Sequence, residues 1–460
     1  MSSRPYFSHR IVPQVLGLLI LFIVTVRVLD IPLMGPHKTR QADTLFTGYS
    51  YCIGDSTFFY PKVAHRENTD GIAIGEFPLF SALISLPCRW TGEWSEVTAK
   101  IITYILWILN FFVWSQWYYR RQRLTDQLSS PSVKDRMPYS YDSYDSNEVK
   151  WGFLLFFVFS PLTITYLLMP LPDNLGLLSI GLAALFWQKQ PSSQKNGTPY
   201  PSLLWCLGSL LFALGFLIRP YLFPLLLVTA PSLRSGLLSF GFCVLGYLFW
   251  FKYWIHHTQI WYYLTDTKPF TSLFTNGWKV PKSLFDQLSL NHLSYIGVIP
   301  FYLALKKNKQ LLLAWIFSLL FILLLKGDHF VNHAYYFMAA GFISIIAMCD
   351  GFWNLSKKTQ TVYRYAYVFL GLYLVQHHWH KPDNQRYLTL PQLMENQKIA
   401  LTDRIAVYDT FSPQTLYLAK HVGWYLEKDQ WKGPSSCPKG ARWALLFDPK
   451  DDHPYLVTCE

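Results

Sequence analysis

A handful of polar positions have the residue types for chemistry on a phosphate-linked substrate. Arg40 and Asp43 follow the first long apolar run, in His37-Lys38-Thr39-Arg40-Gln41-Ala42-Asp43-Thr44. Glu76 precedes a Phe-Pro pair, Asp173 follows Met169-Pro170-Leu171-Pro172, Arg219 stands before Pro220, and His333 and Tyr335 lie in a later polar turn. A carboxylate can take the proton of an attacking hydroxyl. Arginine, with its fixed fork of donors, can hold a departing phosphate. Thr39 to Cys52 contains no proline, so Asp43 is expected in the first turn of a helix whose dipole keeps it ionised. The expected catalytic residues are Asp43 as base, with Asp173 and Glu76; Arg40, Arg219, His333 and Tyr335 are the expected substrate and phosphate contacts. Each also has a structural use: Asp43 pairing with Arg40 or Lys38, Glu76 fixing its loop, Asp173 capping the next helix and Arg219 snorkelling to an interface.

Composition decides the solvent in which these groups work. Of 460 residues, 51% are hydrophobic and 18% aromatic, while only 15% are charged, well below the roughly one quarter usual in soluble domains. The apolar residues gather into runs long enough to cross a bilayer core of about 30 Å as helices. The class is a mainly α, polytopic membrane protein. Its net charge of +12 falls in short loops rather than in one stripe or domain, which excludes nucleic acid as a partner and leaves membrane lipids.

The basic loops set the topology. Residues 1–31 hold Arg4 and Arg10 before the apolar run Val12 to Ile31, which has no cleavage site after it and reads as an uncleaved anchor with a cytoplasmic amino terminus. Residues 32–97 form a long outer loop with interfacial helices and the expected catalytic residues. Residues 98–380 carry the remaining spans, about eleven in all, with Arg120, Arg121 and Arg123, Lys306, Lys307 and Lys309, and Lys357 and Lys358 on the cytoplasmic side. Pro170 and Pro172 make an outer turn that brings Asp173 to the side of Asp43.

Residues 381–460 read as a small outer α/β cap, with strands at Arg404–Asp409 and Trp443–Asp448 and a helix at Pro413–Val422, too short to stand without docking on the outer loops. Of seven cysteines, Cys437 and Cys459 could close a loop worth about 3 kcal/mol, with Cys52 and Cys88 as a second pair. Zinc spacing is absent, and Gly327 and Asp328 favour a turn over a metal site at His329 and His333.

Taken in order, Arg40-Gln41-Ala42-Asp43-Thr44, Glu76-Phe77-Pro78-Leu79, Met169-Pro170-Leu171-Pro172-Asp173-Asn174, His333-Ala334-Tyr335-Tyr336 and Ser412-Pro413-Gln414-Thr415-Leu416-Tyr417 with Gly423-Trp424 resemble the GT-C membrane glycosyltransferases. The branch is that of the protein mannosyltransferases and the lipid A aminoarabinose transferase. The resemblance implies a GT-C-like fold, a bacterial inner-membrane setting and a polyprenyl-phosphate sugar donor. It further implies transfer on the outer face to a lipid, glycan or protein hydroxyl, and a first-loop aspartate as base, which maps to Asp43. Family members often carry paired acidic residues in that loop. Here Ala42 precedes Asp43, so no cofactor is expected, with divalent metal left open. The alternative is a transporter or lipid flippase using the same polar groups as a pathway. That function calls for midplane charges, broken helices and two similar halves, whereas here the polar groups lie at the outer edge and no repeat is visible.

Overall fold

The computed structural model describes residues 12–29, 31, 33, 37–66, 71–72, 77–128, 146–167, 169–188, 203–250, 279–286, 288–289, 293–326, 334–379, 389–400, 403–409, 413–447 and 453–459. Glu76, His329 and His333 lie outside the described residues.

Helices dominate. The chain opens with α1 (Val12–Val28), α2 (Lys38–Cys52), α3 (Leu79–Thr91) and α4 (Glu96–Leu128). Next come α5 (Ser146–Val158), α6 (Pro161–Thr165), α7 (Asp173–Gln188) and α8 (Leu203–Ile218). A 3-10 helix at Pro220–Leu225 leads into α9 (Leu226–Thr229), α10 (Leu233–Tyr247) and α11 (Lys279–Asp286). The bundle closes with α12 (Val298–Lys307), α13 (Lys309–Lys326), a second 3-10 helix at Ala334–Phe337, α14 (Met338–Phe352) and α15 (Lys357–Trp379).

Of the roughly eleven expected spans, two described helices are long and apolar enough to cross a bilayer alone, Glu96–Leu124 and Leu233–Trp250. The helices α12 and α13 pass the same test only when taken together, across a bend of 116°, and five shorter apolar helices accompany them. Proline explains one break. Pro161 cannot donate to the Phe157 carbonyl, the expected run from Trp151 to Leu168 divides into α5 and α6, and the Thr163 hydroxyl donates to that carbonyl instead.

The bundle core is aromatic. Trp107, Trp114, Trp117, Trp187 and Trp353 are buried, so these tryptophans fill the interior rather than an interfacial belt. Trp114 lies 4.3 Å from Phe342, centroid to centroid, and its indole N–H donates to the Leu177 carbonyl at 3.2 Å, which removes the cost of burying it. Lys100 of α4 is buried as well, because its ammonium donates to the Leu29 and Ile31 carbonyls just beyond α1, where a cation suits the helix C-terminus.

The end of the chain forms the expected α/β cap. It comprises α16 (Leu390–Asn396), β1 (Arg404–Tyr408), α17 (Pro413–Ala419), β2 (Val422–Leu426), β3 (Trp443–Phe447) and β4 (Pro454–Thr458). The sheet order is β2-β1-β3-β4, with β1 parallel to both neighbours and β4 antiparallel to β3. The helix expected to reach Val422 stops at Ala419, because Lys420 takes a left-handed φ of 56° and the chain turns into β2.

The cap docks on the first loop. Leu416 and Tyr417 of α17 share one buried apolar cluster with Leu45, Phe46, Phe80 and Ile84 of α2 and α3 and with Ala99 of α4. Residues 64–66 pair with the outer edge of β2: Arg66 N–H donates to the Gly423 carbonyl at 3.0 Å, and Gly423 N–H donates to the Ala64 carbonyl at 3.1 Å. The His65 ring stacks on Tyr425 at 4.8 Å. Both cysteine pairs are joined, Cys52 to Cys88 between α2 and α3 and Cys437 to Cys459 within the cap; Cys206, Cys243 and Cys349 are free thiols.

Candidate active site

Three turns of chain meet where α2 begins, α7 begins and α8 ends. Proline fixes two of them. Arg219 precedes Pro220 and so takes an extended backbone, φ −145° and ψ 91°, which ends α8. Pro172 precedes Asp173, and its carbonyl accepts the first N–H groups of α7, from Leu175 at 3.1 Å and Gly176 at 3.0 Å. The two helices lie close, since a Cβ on Gly215 would come within 2.8 Å of the Gly176 carbonyl oxygen. This packing sets Arg219 opposite Asp173.

Asp173 and Arg219 are 1% and 2% exposed. Arg219 Nη2 donates to Asp173 Oδ2 at 2.7 Å, and the Tyr221 hydroxyl donates to Asp173 Oδ1. The Arg219 guanidinium also lies 5.6 Å from the Tyr221 ring centroid. Tyr221 in turn meets Tyr336 edge to face at 5.6 Å, which brings the 3-10 helix that carries Tyr335 to this site.

The start of α2 closes the group from the other side. His37, with a left-handed φ of 68°, stacks on Tyr166 at 6.3 Å with an interplanar angle of 9°. The Tyr166 carbonyl accepts from the Asn174 side chain at 2.9 Å, and Asn110 of α4 donates to the Asn174 carbonyl at 2.7 Å. Arg40 is near enough for its charge to act on the Asp173 carboxylate. Asp43 lies three residues further along α2, on the same face, and is half-buried. It sits in the helix's second turn rather than its first, by one or two residues.

The sequence-derived site residues Arg40, Asp43, Asp173 and Arg219 thus share one neighbourhood, with the Tyr335 backbone beside it. Glu76 and His333 fall outside the described residues. Phe77, next to Glu76, packs at 4.9 Å on Trp250, just past the end of α10, and at 5.5 Å on Phe58. Sequence reading missed Tyr221, His37 and Tyr166. Tyr221 had one signal, its place two residues after Arg219 at a proline break. An aromatic in an apolar run reads as packing, and nothing local marks its hydroxyl as a partner of Asp173.

Around this site the first loop is tied down by charge. Asp55 accepts from Lys62 Nζ at 3.0 Å and from Arg66 Nη2. Burial alone would raise the Asp55 carboxyl, but the bonds from Arg66 and Lys62 outweigh it and hold the group below the usual carboxylate range. Among the described residues no group of three or more His, Cys, Asp or Glu side chains is placed to hold a metal.

No family profile matches the sequence, and no curated protein is significantly similar to it. In fold the chain is similar to ArnT from Cupriavidus metallidurans. The likeness to the structure bound to undecaprenyl phosphate has a TM-score of 0.58 at 11% identity, over 97% of this chain and 98% of that one. With the apo ArnT structure the TM-score is 0.55 at 11% identity, over 89% and 85%. The chain therefore shares the fold of these two structures.

Proposed function

We propose that this chain is an integral-membrane glycosyltransferase that moves a sugar from a polyprenyl-phosphate carrier to a hydroxyl of a lipid, glycan or protein. The observation that carries the reading is the buried Asp173–Arg219–Tyr221 cluster on which the charge of Arg40 acts, with Asp43 three residues further along the helix of Arg40, in a fold shared with a protein whose structure holds undecaprenyl phosphate.

In this reading Asp43 is the general base. Its carboxylate takes the acceptor hydroxyl proton as the oxygen attacks the anomeric carbon, and the bond from that carbon to the phosphate oxygen breaks with its electron pair passing to the phosphate. Attack opposite the leaving group inverts the anomeric carbon. Arg40 and Arg219 hold the departing phosphate through their guanidinium forks. Asp173 contributes to catalysis by fixing Arg219, since both of its oxygens accept bonds, from Arg219 and Tyr221. Glu76 as a second carboxylate, and His333 and Tyr335 as substrate contacts, complete the assignment.

The two disulfides support the outer face as the place of reaction. Cys52–Cys88 ties α2, the helix of Asp43, to α3, and Cys437–Cys459 lies in the cap docked upon them; such bonds persist in oxidising compartments.

The test is transfer of radiolabelled sugar from a panel of polyprenyl-phosphate sugars to membrane extracts, with the unaltered protein and Asp43→Asn at equal expression. Labelled product lost on substitution supports the assignment. Product formed equally by both moves the base elsewhere, and movement of lipid between leaflets without any product would give the transporter reading precedence.

A further inference from the structure

Asn110 has no part in the reaction proposed above, yet it grips the residue next to Asp173. It lies inside the apolar span Glu96–Leu124 of α4 and is fully buried, 0% exposed. Its amide nitrogen donates twice, to the Leu106 carbonyl one turn back at 3.0 Å and across to the Asn174 carbonyl of α7 at 2.7 Å. Its Oδ1 is buried and accepts no bond among the described residues.

The fold has little need of this amide. The Asn174 carbonyl lies in the first turn of α7, where the N–H four residues on is its regular helical partner, so the bond from Asn110 comes on top of what the helix requires. Contact between α4 and α7 is also secured further along, where the Trp114 indole donates to the Leu177 carbonyl. An apolar side chain in place of Asn110 would spare the desolvation of an amide and leave no acceptor stranded.

The bond fixes residue 174 from two sides. Its carbonyl is held by Asn110, and its side-chain amide donates to the Tyr166 carbonyl in the turn after α6 at 2.9 Å. Asp173 is the next residue back along this backbone, and its two carboxylate oxygens meet Arg219 and Tyr221 at once, which only one setting of the first turn of α7 allows. Tyr166 stacks on His37, the residue before α2, so the same grip sets the start of α7 against the helix of Arg40 and Asp43.

We propose that Asn110 is a positioning residue for sugar transfer, an inference that rests on the glycosyltransferase reading: through Asn174 it holds α7 where Asp173 orients Arg219 towards the departing phosphate. Asn110 touches no reacting atom. It is kept at a cost in stability because the alignment it enforces serves the site.

The experiment measures sugar transfer and the unfolding midpoint of the full chain in detergent for the unaltered protein, Asn110→Leu, Tyr221→Phe and the double variant. Asn110→Leu is expected to keep the unfolding midpoint, while turnover per folded molecule falls by about tenfold to a hundredfold, the effect of a misplacement of about 1 Å. Asn110→Leu and Tyr221→Phe both act on the orientation of Asp173, so the double variant should lose clearly less than the product of the two single losses. A residue that served only the fold would give losses that multiply. Asn110→Ser covers the case in which leucine overfills the site: its short hydroxyl bonds back within α4, and its turnover per folded molecule should fall to a similar degree. The proposal is overturned if the folded variants transfer sugar at the unaltered rate, if neither variant folds, since the amide would then serve the structure, or if the losses multiply. No product from the unaltered, folded protein with any donor would instead refute the glycosyltransferase reading, and this inference with it.

Discussion

Arg219 and Asp173 stand 46 residues apart in the chain and are joined by an ion pair of 2.7 Å from which water is excluded. Neither charge has a use for the fold without the other, because an uncompensated buried charge costs more than the pair gains. Changing Asp173 to Ala, or Arg219 to Ala, is expected to destabilise the protein by about 3–5 kcal/mol, read as a fall in the unfolding midpoint in detergent. The double variant Asp173→Leu, Arg219→Met should recover much of that stability while remaining inactive in transfer. A double variant no more stable than either single one would refute the account.

Tyr221 separates orientation from charge. Tyr221→Phe removes one bond to Asp173 and leaves the ion pair and the ring contacts. The expected cost is about 1–3 kcal/mol, with a modest drop in transfer rate and little change in donor affinity.

Asp43 carries the chemistry in the proposed reaction. Asp43→Asn should lower the transfer rate by about 100- to 10,000-fold, with an unfolding midpoint close to that of the unaltered protein. A variant that loses both together would make Asp43 a structural residue.

The first loop should respond to acid through Asp55. Its carboxyl is depressed in the folded state, so its stabilising contribution is present above the ordinary aspartate pKa and is lost as pH falls through that range towards the folded value. The unfolding midpoint should therefore drop on acidification, and Asp55→Asn should flatten that dependence. Equal slopes in the two proteins would remove Asp55 from the account.

Reduction tests the cysteine pairs. Cys52 and Cys88 are 36 residues apart and Cys437 and Cys459 are 22 apart. The chain-entropy estimate for such loops is about 3–4 kcal/mol each. Alkylation of the unfolded, unreduced protein should mark three cysteines, Cys206, Cys243 and Cys349, and all seven only after reduction.

What could be read from sequence depended on how local the signal was. Asp173 and Arg219 each sit beside a proline, so their positions at helix ends were legible, and so was the cap's composition. Strand β2 was not, since Val422–Leu426 holds five residues with a glycine second and begins two residues after a helical run, where no period can establish itself. Pairing was equally hidden. That Asp173 would meet Arg219 and Tyr221, rather than stand open beside Asp43, follows from the close packing of α7 on α8, which a single sequence does not encode in any one window.

The pairing of residues 64–66 with β2 also dates the assembly of the protein. Arg66 and Gly423 are about 360 residues apart, and at roughly 5–20 residues per second a ribosome needs some 20–70 s to travel between them. For that interval the newborn first loop, with the base proposed for the reaction, waits without the sheet edge that it will cover. Only the emergence of β2 completes it. A growing chain thus lacks the covered form of its first loop until β2 has been made, and a truncation before β2 leaves β1 and the loop each without the partner that protects it.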